Sequence, residues 1–511
     1  MKNSGIGLLL VLCLLLPCAA DAREVTLLYT NDIESVYEPV EAFWRDDMQA
    51  IGGMARLSSL VSRLRSEAEV SFLLDAGDMF TGSLSKATGG QLVFDIYSTM
   101  GYDAGNLGNH EFEYGWQVLQ NVMQRARFPV LNANIYHTGT DIPFARQYAI
   151  LEREDVRIGV IGLMGVDAFV NTMMKSNREG LSVRPPVEVT QALVDQLRPE
   201  VDLVILLTHQ NRTAPMQTDK EADPSVARGY DEDYALAGAV TGVDMIIGGH
   251  SDNGLPHPVQ HPVTGTWIGM TYGQGTHLGY VRFSLDGDKP ELTSAKLIPV
   301  NADLLPEDQR ITRLISSARS RHPDLTRVVG TLTRQAARQY NRESDLGNLL
   351  ADMLREYADA DIGLVPAGAI RTDLQAGEVT VEEVLNVFPF TDTVALVTLN
   401  GVELKSLLEK GLSLDYGMAQ FSGVTITFDG SAPRGERLIH ATVGGKPLQD
   451  RGVYRVATVS FTATGGEGYT MMEVAPKAIS DVQVADVFIR AFEQTGAVNV
   501  PVAGRLVNLA D

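Results

Sequence analysis

The chain has 511 residues, 44% of them apolar and 21% charged, and a formal net charge of −22. That length exceeds what one hydrophobic core organises, so two or three domains are expected. The acidic excess argues against a nucleic-acid polymer or an anionic membrane as partner, and an anionic substrate would need local cations or metals to offset the field.

The amino terminus reads as a secretory signal. Lys2 supplies the positive region, Gly5 to Leu16 is apolar but short for a bilayer span, and Ala20-Asp21-Ala22 gives a small-x-small cleavage pattern. Both cysteines, Cys13 and Cys18, fall inside residues 1–22, so the mature chain would have neither disulfides nor thiolate ligands. Lipid attachment at Cys18 is the alternative, and Pro17 fits that poorly. No later apolar run approaches membrane-spanning length, so an exported, soluble protein without a stable membrane anchor is expected.

From Arg23 to about Val300, strand and helix patterns alternate. Val25–Thr30, Ser71–Leu74, Val156–Met164, Asp202–Leu207 and Val243–Ile247 are short apolar runs that read as buried parallel strands. Helical spacing marks Met54–Glu67, Leu92–Met100, Trp116–Arg125 and Val187–Leu197. Residues 211–233 form a polar excursion, either a cleft wall or a solvated insertion. Leu304–Pro323 reads as a linking helix opened by Pro306 and Glu307. A second domain follows from Val328, with helices at Asp345–Tyr357 and Val402–Lys410. Its strands are expected at Ile362–Pro366, Thr393–Leu399, Val424–Phe428, Ala441–Val443 and Tyr454–Ser460. The expected division is 1–22 leader, 23–303 first domain, 304–327 linker and 328–511 second domain. The class is α/β.

Four strand ends in the first domain carry metal-competent side chains: Asn31-Asp32, Asp75 to Asp78, His209, and His250 after Gly248-Gly249. Ligands gather beyond the carboxyl ends of parallel strands, and these four accompany Gly108-Asn109-His110-Glu111-Phe112-Glu113, an amide and an imidazole beside two carboxylates. Each taken alone has an ordinary reading. Asp32 and Asp78 could be helix N-caps, since each follows a strand and precedes a helical segment.

Thr30-Asn31-Asp32-Ile33-Glu34, Gly77-Asp78, Gly108-Asn109-His110-Glu111, Thr208-His209 and Gly248-Gly249-His250-Ser251-Asp252 resemble, in order, the motif series of the two-domain 5′-nucleotidase and UDP-sugar hydrolase family. The likeness runs through essentially the whole mature chain. It implies an N-terminal dinuclear metallophosphoesterase domain, a four-layer α/β/β/α sandwich, and a C-terminal α/β nucleotide-recognition domain joined to it by a helix. It further implies that Asp78 bridges two divalent ions (Mn, Zn, Mg, Co or Fe). Asp32, Glu34 and Asp252 would complete the first site, and Asn109, His209 and His250 the second. His110, oriented by Glu113, would stabilise charge on the transferring phosphoryl group. Glu34 and Asp252 stand where the family usually has neutral ligands, so a harder first site and a softer second one are expected. In the second domain, Phe390 and Phe461 match the family's base clamp, Arg371 an arginine that meets substrate anionic groups, and Glu467 an Asp that binds ribose hydroxyls. Pro366 and Asp345 each replace an Asn. The implied substrate is a nucleoside 5′-phosphate. The alternatives are a 2′,3′-cyclic nucleotide phosphodiesterase, a nucleotide-sugar pyrophosphohydrolase, or a nucleotide-binding protein with weakened catalysis.

Overall fold

A computed structural model describes residues 23–42, 44–212, 229–287 and 289–510. The leader reading, the Cys18 alternative and most of the 211–233 excursion lie outside the described residues.

Strands between residues 24 and 299 build two six-stranded sheets. In the first, Glu24–Thr30, Ser71–Asp75, Ala104–Asn106 and Val130–Leu131 run parallel, and His277–Ser284 and Glu291–Pro299 extend the sheet antiparallel from Glu24–Thr30. In the second, Val156–Met164, Leu203–His209, Met245–Gly248 and Trp267–Gly269 are parallel, with antiparallel strands at both edges.

The apolar runs lack alternation because both faces of each strand are covered. Val25, Leu27 and Tyr29 pack with Ile205, Leu207 and Ile247 in the core between the two sheets. The intervening Leu28 faces the helices Met54–Glu67 and Gln91–Met100 on one outer side. Val204 and Leu206 face Pro186–Leu197 and Asp231–Ala239 on the other. Four layers result: helices, sheet, sheet, helices.

The expected linking helix starts later than Pro306. It spans Gln309–Arg321 and is capped by Asp308, whose carboxylate accepts a hydrogen bond from the Arg310 N–H. A capping side chain with its own helix-start geometry fixes the first turn more firmly than the preceding proline does. The helix packs on Met54–Glu67 and Gln91–Met100. Its buried Ile311 and Ile315 belong to one apolar cluster that continues into Leu346, Val484 and Phe488. Beyond it lies a five-stranded sheet ordered Gln420–Ser422, Ile362–Val365, Val453–Val459, Thr393–Asn400 and Lys477–Gln483. The helix Asp345–Tyr357, capped by Ser344, packs against this sheet. Among the described residues, no helix is long and apolar enough to cross a membrane.

Candidate active site

The carboxyl ends of the parallel strands in both sheets point to one edge of the first domain. There the chain leaves the pleat sharply. Asp32, Glu34, Asp78, His250 and Asp252 have φ of 51, 50, 57, 76 and 52°. Left-handed backbone at non-glycine residues costs of order 1–3 kcal/mol each and persists only where surrounding bonds over-determine it. Those bonds are present. The N–H groups of Asp32, Glu34 and Ser35 donate to the carbonyls of Gly77, Asp78 and Met79 at 2.9, 2.9 and 3.0 Å, lacing two loops together. The Asn31 amide donates to Asp32 at 2.7 Å, and its oxygen accepts from the Thr271 N–H at 2.7 Å. Neither Asp32 nor Asp78 caps a helix: Gly53 and Gly82 occupy the N-cap positions of the helices that follow.

Asp78 is the hub. One of its oxygens accepts from the His110 N–H at 2.8 Å, and the other lies 2.9 Å from His209 Nε2. Asp78, His209 and His250 present ligand atoms within 4.8 Å of one another. His209 Nδ1 lies 3.1 Å from the Ala76 carbonyl, so that nitrogen carries the proton. Nε2 then faces two acceptors, Asp78 Oδ2 and Asn109 Oδ1 (3.1 Å), and a neutral ring would set lone pair against lone pair. A proton or a metal ion at Nε2 resolves the clash, and an imidazole beside carboxylate and amide oxygens is a donor set that fits a divalent metal. Asp252 Oδ1 is buried without a hydrogen-bond partner. Burial and the neighbouring Asp32 and Asp78 charges push the Asp252 carboxyl well above its usual range, and a cation would relieve that as well.

Of the expected ligands, the structure draws Asp78, His209, His250 and Asn109 into one tight group, with Asp32 and Asp252 alongside. The Asp32 carboxylate accepts from the His250 N–H at 2.8 Å. Glu34 lies 3.5 Å from His110 Nε2 and forms an ion pair with Arg371, which reaches across from the second domain. His110 Nδ1 lies 2.5 Å from Glu113, which also accepts from the Thr81 hydroxyl at 2.9 Å. Burial works against charge on His110, but Asp78 and Glu113 carry its pKa up to about 10. Burial and the adjacent His209 pull His250 down to about 3, leaving that ring neutral.

A cavity of about 110 Å³ joins this group to the second domain. Asp78, Asn109, His110 and His250 line it from the first domain, and Arg371, Phe390, Phe461 and Glu467 from the second. Phe390 stacks over His110, with centroids 6.0 Å apart and planes 26° from parallel. Both clamp phenylalanines are only partly buried in the core, as rings facing a cavity must be. Glu467 is raised to about 8 by burial, Lys410 opposing. Asp345, by contrast, pairs with Arg334 at 2.6 Å and does not line the cavity.

Sequence reasoning missed Glu111, whose carboxylate accepts four backbone N–H bonds, from Asp78 (3.0 Å), Met79 (2.7 Å), Phe80 (3.0 Å) and Gly108 (2.6 Å). It also missed Tyr340, Tyr416 and Asp392 in the cavity wall. Asp392, two residues past Phe390, accepts from the Phe461 N–H at 2.7 Å and ties the two clamp segments together. Its nearness to Phe390 was the available signal. Nothing local marks Tyr340 or Tyr416.

The chain matches two family models, calcineurin-like phosphoesterase over residues 26–253 and the C-terminal domain of 5′-nucleotidase over residues 328–474. It is 27% identical to the protein UshA of Yersinia enterocolitica, across 95% of this chain and 94% of that one. It is 28% identical to a 5′-nucleotidase of Vibrio cholerae, across 95% and 93%. Among solved structures, a 5′-nucleotidase precursor from Thermus thermophilus superposes with a TM-score of 0.83 at 27% identity, covering 96% of this chain and all of that one. With both domain models in sequence order and the strand-end constellation assembled in space, this chain is a hydrolase of the two-domain 5′-nucleotidase family.

Proposed function

We propose that the protein is exported and is a divalent-metal-dependent phosphohydrolase that releases phosphate from nucleoside 5′-monophosphates and related nucleotides. The observation that carries this reading is one cavity lined both by an Asp–His–Asn cluster and by two aromatic rings. Asp32, Glu34 and Asp252 would hold one ion, Asn109, His209 and His250 a second, and Asp78 both. Bound there, divalent ions would supply Lewis-acid charge to phosphoryl oxygens and acidify an attacking water.

The chain's own groups do the rest. His110, held by Glu113 through Nδ1, keeps a proton on Nε2 and directs it toward the position of the phosphoryl oxygens. Arg371 offers a planar fork to the phosphate. Phe390 and Phe461 flank the base, a contact that any flat heterocycle can make. Phosphate release, followed colorimetrically over a panel of nucleotides with and without added Mn²⁺, tests the reading. Turnover of nucleoside 5′-monophosphates that disappears with EDTA and returns with Mn²⁺ is expected. Phosphate release from cyclic nucleotides or nucleotide sugars alone would replace it.

A further inference from the structure

Tyr340 lines the substrate cavity, and its phenol oxygen is buried without a hydrogen-bond partner. Such an oxygen normally finds one, so an unpartnered donor on a residue of the cavity wall points to a ligand. The ring is held firmly. The Tyr340 carbonyl accepts from the Met418 N–H at 2.7 Å. Gly417, at φ 80°, lies so close that a Cβ there would sit 2.8 Å from that carbonyl oxygen and 3.0 Å from the ring. The phenol therefore stands at a fixed place in the wall, with Glu467, Asp252 and Tyr416 near enough for their charges to bear on it.

Beyond burial, charges of both signs bear on the phenol: Glu467 and Asp252 push its pKa up, and Arg212 opposes them. Among the described lining residues, Arg371 is the single lysine or arginine, and it is itself engaged by Glu34. Tyr340 adds an uncharged donor to that wall.

We propose that Tyr340 is a specificity-determining, substrate-contacting residue, donating a hydrogen bond from its phenol to a ribose oxygen of a bound nucleoside monophosphate. This rests on the nucleotidase reading and deepens it. Tyr340→Phe keeps the ring packing on Gly417 and removes only the donor. The loss of one hydrogen bond should raise KM for AMP about threefold to tenfold, with kcat and the KM for p-nitrophenyl phosphate unchanged, since the aryl ester has no ribose. Calorimetric titration of a non-hydrolysable AMP phosphonate analogue into Mn²⁺-loaded wild type and Tyr340→Phe gives a second readout independent of turnover. Equal affinity of the analogue for both proteins overturns the proposal while leaving the nucleotidase reading intact. A wild type that binds and hydrolyses p-nitrophenyl phosphate but no nucleotide overturns that reading, and this proposal with it.

Discussion

His110 shows how one side chain acquires a function from its neighbours. An isolated imidazole is half-protonated near pH 6.5. Here Glu113 at 2.5 Å and Asp78 keep the ring charged past neutrality despite its burial. A charged ring anchored at Nδ1 by Glu113 suits stabilisation of developing phosphoryl charge. His250, driven neutral by burial and His209, is the converse. His110→Ala is therefore expected to lower kcat by roughly 10²-fold or more, the scale for one preorganised donor. Metal content, measured by plasma mass spectrometry, should stay the same. A lost metal equivalent would instead make His110 a ligand.

At the scale of elements, the site is a set of strand-end loops rather than a set of residues. The Gly77-Asp78 loop and the Gly108 to Glu113 turn lie so close that a Cβ on Gly77 would sit 2.6 Å from the Gly108 nitrogen. Glu111 joins them: one buried carboxylate accepts N–H bonds from both loops and holds Asp78 in its left-handed conformation. Gln can accept through one oxygen only and would aim its own N–H at backbone donors. Glu111→Gln should cost about 3 kcal/mol or more in stability, because bonds to a charged acceptor are lost and buried donors are left unpaired. Urea unfolding gives the value. A midpoint within error of the wild type would show that the loops hold each other without it.

For the whole molecule, the cavity belongs to both domains, and contacts across the seam keep it closed. The Tyr416 hydroxyl donates to Asp167 at 3.0 Å, Lys86 to the Phe390 carbonyl at 2.9 Å, and Arg319 spans Glu38 and Glu382. On the proposed function, base recognition falls to the second domain's Phe390 and Phe461. Phe461→Ala should raise KM for nucleotides and scarcely change the hydrolysis of p-nitrophenyl phosphate, which has no base to stack. Equal losses on both substrates would assign Phe461 to the core. The buried charges also make stability depend on pH. Burial raises Asp75 and Glu467 to about 8, and Asp78 holds His209 near 9 against its burial and His110 near 10. Between about pH 6.5 and 9 the folded chain holds protons that the unfolded chain has released, so stability falls as pH rises through that window. His250, held down to about 3, acts in the opposite sense only below that range. The melting temperature of EDTA-treated protein should decline from pH 6.5 to 9, and Asp75→Asn should make the decline shallower up to pH 8. A flat profile would mean that these groups titrate alike in both states.

The sequence by itself determined the α/β class, the strands that carry the site, the helices Met54–Glu67 and Asp345–Tyr357 to the residue, and the motif order that gathers Asp32, Asp78, Asn109, His110, His209 and His250. These features are local: apolar periodicity and the side chains at strand ends do not depend on what packs against them. It did not reveal the antiparallel strands His277–Ser284 and Glu291–Pro299. His277, Gly279 and Arg282 interrupt the apolar pattern of the first, and the second has no fully buried residue to set one up. Nor did it reveal the start of the Gln309–Arg321 helix, which a capping hydrogen bond sets. Only the tertiary structure decided that Glu34 meets Arg371, that Glu111 clamps two loops, and that Tyr340 opens onto the cavity. Those groups come from segments separated by tens to hundreds of residues, and the contacts of Glu34 and Tyr340 exist only once two domains share one wall.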